Sequence, residues 1–102
     1  MLDACDRIAR FVADRSLVEF QSDDYFRSAV ERQLEIVGEA ARGVSETFKN
    51  ANTHIPWRPI IAQRHILAHE YGEVDPPLIW RVATTHIPAL AAQLRALLGE
   101  NA

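Results

Sequence analysis

With 102 residues, 48% of them hydrophobic and 25% charged, the chain is long enough for one modest core, too short for two, and too apolar to be disordered. Eleven Lys and Arg against fourteen Asp and Glu leave a net charge of −3, which excludes a protein that holds nucleic acid by bulk positive charge; any such contact has to be local. The single Cys5 cannot form an internal disulfide and no apolar run approaches the roughly 20 residues of a membrane span, so one cytoplasmic domain over residues 1–102 is expected, with no membrane partner.

In chain order, Leu2, Ile8, Phe11 and Val12 space out as a first amphipathic helix from about Leu2 to Ala13. Ser16 to Gln21 lacks a sustained period and reads as a connector. Ser22-Asp23-Asp24 offers side-chain acceptors and negative charge for a helix start, and no proline follows before Phe48. The apolar residues Val30, Leu34, Val37, Ala41, Val44 and Phe48 step by 4, 3, 4, 3 and 4, a seam suited to a nearly antiparallel partner helix in a bundle or across a dimer. Gly38 interrupts that helix at about 1 kcal/mol relative to Ala, which a close backbone approach would offset. Glu39 beside it lies off the seam, either as a solvated charge or as a residue near a site.

Lys49 to His54 is a polar connector. Pro56 opens a third helix at the position where its missing N–H is no loss, Pro59 still falls in the first turn, and Trp57 is expected to anchor that turn in the core. The same helix runs through Ile60, Ile61, Leu67 and Ala68 to Tyr71-Gly72. Asp75 then caps a fourth helix begun by Pro76 and Pro77, with Leu78, Ile79, Val82 and Ala83 as its apolar face. Pro88 breaks or kinks it, and Leu90, Leu94, Leu97 and Leu98 continue as a final helix. No strand pattern appears; the expected fold is all-α, an up-and-down bundle of four to five helices.

Chemistry concentrates in Arg64-His65-Ile66-Leu67-Ala68-His69-Glu70-Tyr71. His65 and His69, four apart, share a helix face and could hold a metal, but zinc requires three or four ligands and two are not a site, so no metal is assigned. Arg64 falls in the middle of the apolar stripe, where a guanidinium needs a carboxylate partner, with Glu39 one candidate, or a function. Tyr71 reads by itself as a core aromatic with its hydroxyl at the rim.

Arg64, four residues, His69, one residue, Tyr71 resembles the R-x4-H-x-Y motif of HEPN-domain toxins of the HepT type. Ala29-Val30-Glu31-Arg32, Ile36-Val37-Gly38-Glu39-Ala40, Ile55-Pro56-Trp57-Arg58 and Trp80 match as flanking pieces, so the similarity spans nearly the whole chain. One departure stands out: the family commonly has Asn directly after the motif Arg, and this chain has His65, which can donate or accept a hydrogen bond or carry charge.

The resemblance implies a HEPN-like dimeric bundle and a metal-independent endoribonuclease without cofactor, the toxin of a type VII-like toxin and antitoxin pair. Arg64 and His69 would be catalytic, with His65, Arg58 and Glu39 supporting or binding substrate. RNA, not DNA, would be the substrate, because the route uses the ribose 2′-hydroxyl. The cognate antitoxin would be a minimal nucleotidyltransferase, MntA-like, that adenylylates Tyr71. Five residues at about 100° each put Arg64 and His69 roughly 140° apart on an ideal helix, so either the helix is distorted there or the site is shared; the resemblance implies the second, a homodimer with two motif helices lining one groove. Arg58 and Arg81 flank the motif, either as further phosphate contacts or as solvated arginines. The competing reading is a non-catalytic helical module that binds a nucleotidyltransferase; the net charge and His65 favour it, and the intact Arg64, His69 and Tyr71 disfavour it.

Overall fold

The computed structural model describes residues 1–62 and 76–99, and these are helical throughout, joined by turns, with no strand among them. Helix α1 (Leu2–Val12) buries Ile8 as expected, together with Ala4 and Cys5, while Leu2, Phe11 and Val12 are half-buried. It ends in an extended Ala13 and a left-handed Asp14 at φ 59°, a conformation a short polar side chain tolerates.

The stretch expected as a connector is instead a second helix, α2 (Leu17–Ser22). Ser16 Oγ accepts the Glu19 N–H at 3.2 Å while Glu19 Oε1 accepts the Ser16 N–H at 3.2 Å, so both free donors of the first turn are satisfied. Six residues are too few to show a period, yet the Ser-x-x-Glu box and the fully buried Phe20 suffice to hold it. At its other end the Arg27 guanidinium donates to the carbonyls of Gln21 at 2.9 Å and Phe20 at 3.4 Å.

Asp23 caps α3 (Asp24–Arg42), accepting the Phe26 N–H at 3.1 Å. Phe26, Val30, Leu34, Val37, Gly38 and Ala41 form its buried face, so the seam is as expected this far. The helix does not run on to Phe48. It ends at Arg42, Gly43 donates to the carbonyls of Glu39 and Ala40, and Ser45 starts a separate helix α4 (Glu46–Ala51) by accepting the Phe48 N–H at 3.1 Å. Gly43 and Ser45 both disfavour helix interiors, and together they outweigh the apolar repeat. The seam therefore loses its last member: Val44 stays half-buried and Phe48 is 42% exposed.

Ile55 is buried, Pro56 precedes the next helix, and α5 is helical over residues 57–62, its Trp57 anchored in the core as expected. Helix α6 (Pro76–Arg81) begins on its two prolines. Ile79 and Ala83 line the core, Val82 is half-buried against it, but Leu78 is 54% exposed. One residue before Ile79, it is rotated about 100° off the inward direction.

The break expected at Pro88 takes an unexpected form. The backbone passes without interruption through a π turn (Val82–His86) into α7 (Ile87–Leu98), and the Ile87 N–H donates to the carbonyl of Val82, five residues back. Pro88 has no N–H to give the carbonyl of Thr84, and wider winding before it relieves the ring's crowding of that carbonyl. Thr84 Oγ1 donates to the Trp80 carbonyl at 2.8 Å, which keeps it bonded through the change of winding. Leu90 and Leu94 are buried, whereas Leu97 and Leu98 in the last turn are exposed before the left-handed Gly99.

α1 packs on α3 and α7, and α2 packs on α3 and α6. Phe20, Phe26 and Trp80 meet at the second junction with centroids 5.3–5.9 Å apart, and an Arg95–Asp6 ion pair ties α7 to α1. The all-α class holds among the described residues, while α2 and α4 raise the number of helical segments above the four to five expected.

Candidate functional site

Arg64, His65, His69 and Tyr71, together with the Asp75 cap, lie outside the described residues. The structure describes what leads into and out of that stretch. On the entering side, Ile55 is 1% and Trp57 8% exposed, so the first turn of α5 is set in the core. The Trp57 Nε1–H donates to the carbonyl of Asn52 at 3.1 Å, and Ile60 and Ile61 pack half-buried against the core. On the leaving side, Trp80 packs against Phe20 and Phe26, fixing α6 to α2 and α3. Both flanks are thus held by large side chains whose burial contributes about 1.5–3 kcal/mol each.

Arg58 follows Trp57 and is exposed. Arg81, at the start of the π turn, is exposed as well. Glu39 lies exposed on α3, directly after the buried Gly38, and among the described residues it forms no ion pair with Arg58.

Other charges serve the frame. The Arg15 guanidinium stacks on the Phe26 ring at 3.9 Å and bonds Glu19 at 2.6 Å and Asp23 at 3.4 Å, holding the α1, α2 and α3 corner together. Burial raises the Glu31 carboxyl above its usual range; Arg27, 3.9 Å away, opposes the shift and Glu35 adds to it. Burial likewise pushes the Cys5 thiol up from 9.0 to about 11, so this cysteine is not poised as a nucleophile. Besides Leu78, a residue whose place the sequence did not give is Phe48, expected in the seam and found on the surface beside Trp57. The signal was Ser45, a helix-starting residue three positions before it.

No helix among the described residues is long and apolar enough to cross a membrane. The family model described as "Ribonuclease HepT-like" matches residues 1–97. A Thermococcus cleftensis protein named "Probable ribonuclease HepT" is 33% identical over 95 residues, covering 93% of this chain and 86% of the relative. "Putative RNase TTE0752" of Caldanaerobacter subterraneus subsp. tengcongensis is 32% identical over 98 residues, covering 96% and 88%. "Putative RNase MJ1380" of Methanocaldococcus jannaschii is 30% identical over 94 residues, covering 92% and 86%. No solved structure gives a significant match. With a family match over nearly its full length, an all-helical frame and the Arg64, His69, Tyr71 spacing, this chain belongs to the HepT-like ribonuclease family.

Proposed function

We propose that the chain is a metal-independent endoribonuclease, the toxin of a type VII-like toxin and antitoxin pair, acting in the cytoplasm as a homodimer. The observation that carries this reading is the family match over residues 1–97 in a chain that retains Arg64, His69 and Tyr71.

His69 takes the proton from a ribose 2′-hydroxyl as that oxygen attacks the adjacent phosphorus, a role suited to imidazole, the side-chain type that exchanges protons near neutral pH. The bond from phosphorus to the 5′-oxygen breaks, and the leaving oxygen takes a proton from the second copy's imidazolium or from water. Arg64 holds the non-bridging oxygens as charge builds on them. The products are a 2′,3′-cyclic phosphate and a 5′-hydroxyl, and DNA is not cut by this route. His65 supplies the polar contact that Asn commonly supplies at this position, while Arg58 and Glu39 support the site or the substrate. The 140° separation on an ideal helix is resolved by two motif helices facing one groove.

Regulation follows from Tyr71. A nucleotidyltransferase partner would direct the phenol oxygen onto the α-phosphorus of ATP, expelling pyrophosphate and leaving AMP on the tyrosine. Added bulk and negative charge beside the cleft oppose RNA binding.

The test is cleavage of a mixed RNA by the purified chain in EDTA, beside a folded His69→Ala variant, with product ends identified. Cyclic phosphate ends that disappear in the variant support the reading. Absence of cleavage, or equal cleavage by both proteins, moves the assignment to a non-catalytic module that binds a nucleotidyltransferase.

A further inference from the structure

Helix α4 buries none of its residues, yet it carries a phenylalanine. Phe48 is 42% exposed, and its ring stands edge to face with the Trp57 indole, centroids 6.3 Å apart and planes at 70°. The backbone that carries the pair is tied by two bonds through one residue: Asn52 Nδ2 donates to the Phe48 backbone carbonyl at 2.9 Å, and Trp57 Nε1 donates to the Asn52 carbonyl at 3.1 Å. The turn that follows is pinned too, since Gln93 Nε2 donates to the His54 carbonyl at 3.4 Å and Ile55 is buried. A flat apolar ring on a tied backbone, with only two side-chain torsions of its own, loses little conformational freedom when another ring stacks on it.

The neighbourhood suits a nucleotide. Asn50, Thr53, His54 and Arg58 are exposed along the same stretch, and the one acid of α4, Glu46, is engaged by Lys49 Nζ at 3.6 Å. Single-stranded RNA is recognised by this combination: an aromatic face for a base, amide and imidazole groups for its edge, and a guanidinium for phosphate. In a chain of net charge −3, affinity for RNA has to come from such local contacts. Arg58 is also six residues ahead of Arg64, on the helix that leads toward it.

We propose that Phe48 is a base-stacking platform for single-stranded RNA, with Arg58 on the adjoining phosphate, and that it sets which nucleotides flank the cleaved bond. The proposal rests on the ribonuclease reading above, and its test separates the two. Labelled oligouridine and oligoadenosine are titrated by fluorescence anisotropy against His69→Ala protein carrying Phe48, Phe48→Leu or Phe48→Tyr, with thermal melts confirming the fold. With His69 intact, the same Phe48 variants are mapped for cleavage positions on a random RNA pool. Leu keeps the packing against Trp57 and loses the stacking face, so Phe48→Leu should weaken binding about 5- to 100-fold. Its KM should rise more than its kcat changes, with altered cleavage positions, and Phe48→Tyr should restore both. Unchanged affinity and cleavage positions in Phe48→Leu overturn the platform alone and point to a protein partner on this ring. A parent chain that neither binds nor cuts RNA overturns both readings.

Discussion

The indole nitrogen of Trp57 donates to the backbone carbonyl of Asn52 at 3.1 Å, so the first turn of α5 is tied to the end of α4 by a side chain that is also part of the core. Trp57→Phe removes the donor, leaves the Asn52 carbonyl with the Ile55 N–H at 3.2 Å as its remaining partner, and shrinks a buried ring. A loss of about 1–3 kcal/mol is expected, read as a lower urea midpoint with unchanged slope.

The capping box on α2 gives a second test. Ser16→Ala should destabilise the fold by about 1 kcal/mol, while Ser16→Asn, which can still accept the Glu19 N–H, should stay near the parent. Equal thermal midpoints for Ala and Asn would show that Phe20 alone holds this helix.

Gly43 ends α3 at φ −78° and ψ −7°, a conformation open to any residue. An added Cβ would meet nothing closer than the Ala40 carbonyl at 3.5 Å, ordinary van der Waals contact. Gly43→Ala should therefore raise stability by about 0.4–1 kcal/mol, chiefly by restricting the unfolded chain. A drop in midpoint would mean that the break between α3 and α4 depends on glycine.

Cys5 should react with a thiol reagent at pH 8 only as fast as the protein unfolds. Because folding raises its pKa from 9.0 to about 11, the neutral thiol favours the native state. The unfolded thiol ionises first, so this contribution is complete below pH 9 and declines as pH rises toward 11, with a slope of up to about 1.4 kcal/mol per unit. Cys5→Ala should flatten that alkaline decline.

For the proposed reaction, His69→Ala should lower kcat about 10²- to 10⁴-fold without shifting the melting midpoint. Arg64→Lys should also be severely impaired, because an ammonium does not reproduce the planar bidentate contact. Activity retained in both variants would remove these residues from the mechanism.

Much of this protein is legible in the chain. The 4, 3, 4 spacing of Val30, Leu34, Val37 and Ala41 places them on one face whatever they pack against, and Pro56, Pro76 and Pro77 fit an ordinary α-helix only at its start, so these elements follow from local geometry. The family, too, is carried by residue identities in order, with Arg64, His69 and Tyr71 among them. Tertiary structure decided where competing local signals were nearly balanced. Ser16 to Ser22 is too short to hold a helix alone, and it does so because Phe20 is buried against Phe26 and Trp80. Phe48 matched the α3 seam in spacing, but spacing cannot tell whether a helix continues through Gly43 and Ser45. Leu78 and Ile79 are equally apolar, and which of them faces the core depends on the angle at which α6 lies against α2 and α3. An apolar residue is buried only if another element arrives to cover it, and that is a property of the whole assembly of helices rather than of any one stretch.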